Sequence, residues 1–229
     1  MIYTRKLHKN NEESIFLEKF LDSNFFENLA YGKKYFLLQE PFTGLGFPDL
    51  VCIIWNGKIE GKWTEKRNNL TPNDIKILHH LYNNKIYKPI DKISKELNFS
   101  LRDTKKSIEK LNEADLIVVN NKNKVKIKQI NKIFFVEEII SIEAKLKNWR
   151  KALEQSVNNT LFSSQSYILF PRKHITENLI HTYNNTNIGI ISFDRSYSVV
   201  KKAKKQKIPV SLTSWLFNEY IGRYLWQKA

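Results

Sequence analysis

The feature that constrains the fold most is a continuous apolar run at residues 49–57 (DLVCIIWNG), which opens with an acid and ends at Asn56-Gly57. The run has the length of a β-strand and contains β-branched residues. An uninterrupted apolar strand is typical of a sheet that is covered on both faces. We therefore predict a buried strand in a layered α/β domain.

Segments with helical and strand patterns alternate on both sides of this run. Residues 12–31 predict one amphipathic helix, which Gly32 ends, and residues 34–41 predict a strand. Residues 58–63 predict a hairpin return. After residue 131 the order is strand, helix, strand, helix, strand and a terminal aromatic-rich helix. The expected fold class is α/β, with a mixed central sheet flanked by helices. The apolar stripe of the first helix is Ile15, Phe16, Phe20 and Leu21.

Residues 71–130 have a different pattern, namely three helices followed by a β-hairpin. Thr71 is a cap with Pro72 at the first helical position, and Ser100 caps the third helix. This is the order of a winged helix-turn-helix. We therefore predict an α/β domain formed by residues 1–70 and 131–229, with a winged helix-turn-helix inserted at 71–130. The expected inward residues of its first and third helices are Ile75, Ile77, Leu78, Leu81, Leu101, Ile108 and Leu111.

The charge of the chain favours an anionic partner. Its formal net charge is +15, and residues 71–130 hold thirteen Lys and Arg against seven acids. Double-stranded DNA is the expected partner, with the third helix in the major groove and the hairpin on phosphates. A compositional bias towards Lys, Asn and Ile is the alternative explanation. The predicted DNA-binding residues are Arg102, Lys105, Lys106, Lys110, Lys122, Lys124 and Lys126.

Cysteine content and hydropathy indicate the compartment. Cys52 is the single cysteine, so the chain has no internal disulfide and no Cys-rich zinc site. No apolar run approaches the roughly 18 residues of a membrane span, and the first residues do not have the pattern of a secretory signal. We expect a cytoplasmic protein without a membrane partner.

A second strand, residues 139–146 (IISIEAKL), places acid and base on one face. After Ile139 its odd positions are Ser141, Glu143 and Lys145, and its even positions are apolar. Alternate residues of a strand point to opposite faces. Buried charges are costly unless they are paired or bind a metal. The alternative is an ordinary ion pair on an edge strand.

Asp49, at the start of the apolar run and beside a Gly-rich turn, is the second candidate carboxylate. Two carboxylates on adjacent strands can hold Mg²⁺, and a neighbouring lysine can polarise a water molecule. A metal beside such a water is suited to phosphodiester hydrolysis. The alternative role for Asp49 is to cap the turn at Gly44 or Gly46.

Pro48-Asp49 on one strand and Glu143-Ala144-Lys145 on a later one resemble the PD-(D/E)XK nuclease superfamily, which has a restriction-endonuclease-like fold. The resemblance implies that Asp49, Glu143 and the Ala144 carbonyl bind Mg²⁺, for which Mn²⁺ would substitute. It also implies that Lys145 is catalytic. The separation of 94 positions from Asp49 to Glu143 is long for this pattern, and the inserted module explains it. Many relatives carry a functional acid on the first helix, which here would be Glu12 or Glu13, with Glu13 preferred. Several carry a functional glutamine on the helix after the lysine, which here would be Gln155.

The expected function is therefore that of a Mg²⁺-dependent DNA endonuclease, in which the winged helix binds the DNA duplex. A homodimer formed through the terminal helix fits this expectation. Three alternatives stay open. One is a non-enzymatic DNA-binding regulator with a nuclease-like domain. Another is a nuclease subunit of a larger transposition or defence complex, and the third is an RNA-directed nuclease.

Overall fold

A computed structural model describes residues 11–209 and 211–228, and these form two compact units. The sheet unit comprises residues 11–56 and 136–214, and the helical unit comprises residues 57–135 and 215–228. No helix in this part of the chain is long and apolar enough to cross a bilayer.

The secondary structure follows the local patterns of the sequence. The helices are α1 Glu12–Leu21, α2 Phe25–Ala30, α3 Glu65–Asn68, α4 Pro72–Asn84, α5 Ile90–Leu97, α6 Leu101–Glu113, α7 Ile130–Ile133, α8 Trp149–Asn159, α9 Glu177–Asn184 and α10 Leu212–Trp226. The strands are β1 Tyr35–Gln39, β2 Leu50–Trp55, β3 Lys88–Pro89, β4 Ile117–Val119, β5 Lys124–Ile127, β6 Val136–Ala144, β7 Gln165–Pro171, β8 Gly189–Phe193 and β9 Tyr197–Lys201.

The sheet unit is built on a six-stranded mixed sheet of order β1-β2-β6-β7-β8-β9. Strands β6, β7 and β8 are parallel to one another, while β1, β2 and β9 run antiparallel to their neighbours. The prediction of a mixed central sheet is confirmed. Every residue of β2 is buried, so the apolar run does form a strand covered on both faces.

Helices cover the two faces of this sheet. On one face, Phe20 of α1 and Phe26 of α2 pack with apolar side chains of β2 and β6, which include Ile140 and Ile142 of β6. On the other face α8 and α9 pack against β7 and β8. The sheet unit is therefore a layered α/β structure, and the two faces of β6 meet different helices.

The helical unit contains α4, α5 and α6 together with a three-stranded sheet of order β3-β5-β4. The Thr71 side chain and Asp74 form a reciprocal capping box at the start of α4, and Ser100 accepts from the Asp103 amide at the start of α6. The predicted helices and hairpin strands are present. Their interpretation as a winged helix-turn-helix stays a prediction.

Three local expectations were wrong. Residues 12–31 form two helices, because the chain turns at Asp22–Asn24. Residues 58–63 do not return as a strand, since a 3₁₀ turn occupies Gly57–Ile59. Leu101 is 45% exposed, since it is the first residue of α6 and the buried face of that helix begins only at Thr104.

The bounds of the two units also differ from the predicted domains. Residues 57–70, 131–135 and 215–228 group with the helical unit. A buried ion pair joins two of these segments, since Arg67 of α3 donates twice to the Glu219 carboxylate of α10, at 3.0 and 2.6 Å. Arg67 also donates to the Ile133 carbonyl. Side chains distant in sequence therefore hold these segments together.

Candidate active site

The two predicted carboxylates lie opposite each other on neighbouring strands. Strand β2 pairs antiparallel with β6, and Leu50 is directly opposite Ile142. One step further along each strand are Asp49 and Glu143. Because β6 has β2 on one side and β7 on the other, it is a central strand. The alternative of an ion pair on an edge strand is therefore excluded.

Asp49 is held by the end of strand β6. Its Oδ2 accepts from the Ala144 amide at 2.8 Å and from Lys145 Nζ at 3.2 Å. In the Gly-rich turn the Thr43 hydroxyl donates to the Gly46 carbonyl and accepts from the Leu45 amide. Thr43 therefore has the capping role that was the alternative for Asp49, and the contacts of the Asp49 carboxylate lie across the sheet.

Lys145 connects three groups at this end of the sheet. Besides Asp49, its Nζ donates to the Ala144 carbonyl at 2.9 Å and lies 3.6 Å from Glu13 Oε2. The other oxygen of Glu13 accepts from the Leu146 amide at 3.4 Å. The structure thus brings Glu13 of α1 to the predicted site. Glu12, the other acid considered there, is exposed.

The Glu143 carboxylate is buried, and only one of its two oxygens has a hydrogen-bond partner among the described residues. Its Oε1 accepts from Asn159 Nδ2 at 2.7 Å, but Oε2 has no hydrogen-bond partner among the described residues. Burial, and then the nearby Asp49 carboxylate, raise the pKa of Glu143 to about 8. Two carboxylates without a donor between them repel each other, and a proton or a cation at Oε2 relieves that repulsion.

The donor set fits a hard divalent cation. Asp49 and Glu143 offer carboxylate oxygens, which Mg²⁺ prefers, and the Ala144 carbonyl directly follows Glu143 in the chain. The described residues contain no group of three or more His, Cys, Asp and Glu side chains arranged to hold a metal. A cation here would therefore rely on two carboxylates, the backbone carbonyl and water. Lys145 uses one of the two lone pairs of that carbonyl, and the other remains for an ion.

The charge of Lys145 is stabilised by its neighbours. Burial lowers the pKa of its ammonium group, but Asp49, Glu13 and Glu143 outweigh burial and raise the pKa above its ordinary value of 10.5. Lys145 is therefore a cation and a hydrogen-bond donor at neutral pH. It is not available as a general base.

Asn159 is the site residue that the sequence analysis missed. It lies on α8 four residues after Gln155, which was predicted to be functional, so the two are on the same side of the helix. Asn159 contacts Glu143, whereas Gln155 Oε1 is buried without a hydrogen-bond partner in the described part of the chain. The helical spacing from Gln155 is the one signal that could have identified Asn159, but an Asn at a helix end is common.

The predicted DNA-binding residues form a basic surface on the helical unit. Those of α6 are exposed, whereas the lysines of β5 are half-buried and alternate with the buried Val125 and Ile127. Two of them have partners, since Lys110 lies 3.9 Å from Asp74 and Lys126 lies 5.7 Å from the Tyr87 ring centre. The exposed residues of α6 are Arg102, Lys105, Lys106 and Lys110.

The raised pKa of Glu143 predicts a pH-dependent stability. Between its ordinary value of 4.5 and about 8, the folded protein binds more protons at this group than the unfolded chain does. We therefore expect the free energy of unfolding without metal to fall as the pH rises through this window. The fall should be about 1 kcal/mol per pH unit relative to Glu143→Gln, which cannot titrate.

Urea denaturation at pH values from 5 to 8, with a chelator present, measures this difference. Glu154→Gln, which removes an exposed acid of α8, is the control. Its free energy of unfolding should change with pH as that of the wild type does. Parallel curves for the wild type and Glu143→Gln would contradict the expectation.

Comparisons with known proteins do not assign the chain to a family. No family model matches the chain, and no curated protein matches it. Among solved structures, a protein of unknown function from Silicibacter pomeroyi is similar, with a TM-score of 0.29 and 14% identity. The similarity covers 41% of this chain and 66% of that protein. A similarity this low carries no argument about function.

Proposed function

We propose that the chain is a Mg²⁺-dependent DNA endonuclease that hydrolyses phosphodiester bonds. The observation that supports this most directly is the buried Glu143 Oε2, which has no donor in the described part of the chain and belongs to the carboxylate opposite Asp49. Retaining two close carboxylates at the end of a central strand is costly unless a proton or a cation relieves their repulsion. A cation-binding role gives this arrangement a function.

Asp49, Glu143 and the Ala144 carbonyl would hold the metal ion. When bound, such an ion lowers the pKa of water and neutralises charge on a phosphate. Asn159 fixes the Glu143 carboxylate by binding Oε1, so that Oε2 remains for the ion. The Ala144 amide similarly fixes Asp49. The protein therefore orients both carboxylates with hydrogen bonds from other residues.

Lys145 provides the positive charge beside this pair. Because its ammonium group stays protonated, it acts by donating hydrogen bonds to the attacking water or to a phosphate oxygen, rather than by removing a proton. Glu13 lies on the other side of the ammonium group and helps to hold it. In this proposal Glu13 is a positioning residue.

The helical unit supplies the binding of duplex DNA. Exposed Lys and Arg residues on α6 and the lysines along β5 offer a surface for phosphates, which dominate non-specific affinity. In this proposal α6 enters the major groove as the recognition helix of a winged helix-turn-helix. Arg102 is the candidate for a contact to guanine, since its guanidinium can donate two hydrogen bonds to that base.

Incubation of supercoiled plasmid with the purified protein tests the proposal. We expect Mg²⁺-dependent nicking or linearisation that stops when the metal is chelated, and that Asp49→Asn abolishes. Asp22→Asn, an acid at the C-terminal end of α1, is the control and should cleave like the wild type. Cleavage that persists in Asp49→Asn would refute the assignment of the site.

A non-enzymatic DNA-binding protein is the second candidate, because the basic surface of the helical unit does not depend on the acids. Plasmid binding without cleavage by the wild type would favour it. Cleavage only after addition of other proteins would favour a nuclease subunit of a larger complex. The plasmid experiment therefore separates the three candidates.

A further inference from the structure

A cleft in the sheet unit lies directly beside the candidate active site. Its volume is about 420 Å³, and it is formed where the parallel strands β6, β7 and β8 end. The carboxyl ends of parallel strands meet at one edge of an open sheet, which is where such sheets bind ligands. Leu146, which follows Lys145, lines the cleft, and its amide binds Glu13. The cleft and the carboxylate pair are therefore neighbours.

One part of the cleft lining is apolar, and the other part is charged. Ile15, a member of the predicted apolar stripe of the first helix, is 44% exposed and lines the cleft. Phe16 and Phe193 also line it, with ring centres 5.9 Å apart. The charged part contains more lysines than acids, namely Lys19, Lys147 and Lys173 beside Glu12 and Asp194, and His174 also lines it.

This combination does not match paired DNA. In a duplex the faces of the bases are covered by stacking, and the exterior offers phosphates and groove edges. An unpaired nucleotide offers both a flat base, which stacks on apolar and aromatic side chains, and a phosphate for the lysines. The volume is also in the range of clefts that bind small molecules of nucleotide size, and it is too small for a duplex.

We infer that the cleft takes up one unpaired nucleotide next to the phosphate that is cut. This inference rests on the proposed nuclease function and specifies its substrate as DNA with an unpaired end or junction. Ile15 and Phe16 contact the base, and Lys173 binds a neighbouring phosphate. Because Leu146 directly follows Lys145, a nucleotide in the cleft brings its own backbone close to the carboxylate pair.

Fluorescence anisotropy with two labelled DNA probes tests the inference. One probe is a blunt duplex and the other is the same duplex with single-stranded overhangs, and a chelator prevents cleavage. The wild type should bind the overhang probe about tenfold more tightly, the effect of one stacked base. Ile15→Glu should remove this preference. Val157→Glu, at a side chain 47% exposed on α8, is the matched control and should keep it.

A second pair of variants tests the inference independently, so that the test does not depend on the folding of Ile15→Glu. Lys173→Glu lies in the exposed turn after β7 and should lower affinity for the overhang probe several-fold more than Lys151→Glu, an exposed lysine on α8 that does not line the cleft. Equal affinity of the wild type for both probes would overturn the inference. So would an unchanged preference in both folded cleft variants.

Cleavage of the plasmid and of the overhang probe, both assayed with Mg²⁺, keeps the two proposals apart. Absence of Mg²⁺-dependent cleavage of both DNAs, or its persistence in Asp49→Asn, rejects the nuclease assignment whatever the anisotropy shows. Loss of cleavage in Asp49→Asn together with equal binding of both probes rejects only the cleft inference. Preference for overhangs that depends on Ile15 and Lys173 supports the cleft as a nucleotide site in either case.

Discussion

Replacement of Lys145 by methionine is expected to lower the rate of Mg²⁺-dependent DNA cleavage by about 10²–10³-fold, the usual effect of removing one preorganised donor from a reacting phosphate or water. Methionine keeps most of the side-chain length and removes only the charge and the donors. The ammonium group lies within 3.2 Å of Asp49 and is held protonated by the surrounding acids. Its loss removes the positive charge that the site offers besides the metal.

Single-turnover cleavage, with protein in excess over DNA, measures this rate, and anisotropy measures DNA affinity in parallel. Affinity for the duplex should change little, because the basic surface of the helical unit is intact. Lys151→Met, an exposed lysine on α8, is the matched control and should cleave normally. If Lys145→Met cleaves at the wild-type rate, the role assigned to Lys145 is wrong.

Replacement of Arg67 by methionine should lower the free energy of unfolding by about 3–5 kcal/mol, because it leaves the Glu219 carboxylate buried and unpaired. The side chains of Arg67 and Glu219 are 2% and 3% exposed. The guanidinium also lies 4.1 Å from the Trp63 ring centre and donates to the Ile133 carbonyl. Several buried groups therefore lose a partner together.

Urea denaturation followed by tryptophan fluorescence measures the change, since Trp63 and Trp215 are both buried in the helical unit. The exposed pair Lys33–Glu137 supplies the control, and Lys33→Met should cost less than about 1 kcal/mol. The double variant Arg67→Met with Glu219→Met should recover part of the loss, because no charge is then buried without a partner. A single variant as stable as the wild type would contradict the expectation.

Local sequence patterns predicted most of the elements correctly. Capping residues such as Thr71 and Ser100 mark helix starts because their side chains satisfy free amides of the first turn, which is a local interaction. The break after Leu21 was missed, since no Gly or Pro marks it. The grouping of α10 with the helical unit was also missed, because it depends on contacts between Arg67 and Glu219, 152 residues apart.

The candidate site was predictable where it depended on strand alternation. Glu143 and Lys145 were found because they interrupt an apolar strand, and Asp49 because it precedes another one. Asn159 was not found, because a helical Asn becomes significant only when its amide meets a buried carboxylate. The exposure of Ile15 was not predicted either, since periodicity gives the side of a helix that is apolar but not how far its neighbours cover it.

The sequence by itself determined which segments become strands and helices, and which face of β6 carries the charges, because these follow from the alternation and capping of neighbouring residues. Only the tertiary structure decided that Asp49 and Glu143, 94 residues apart, stand opposite each other and that one oxygen of Glu143 is left without a donor among the described residues. The physical reason is that strand pairing and burial depend on the packing of distant segments, which no local pattern encodes.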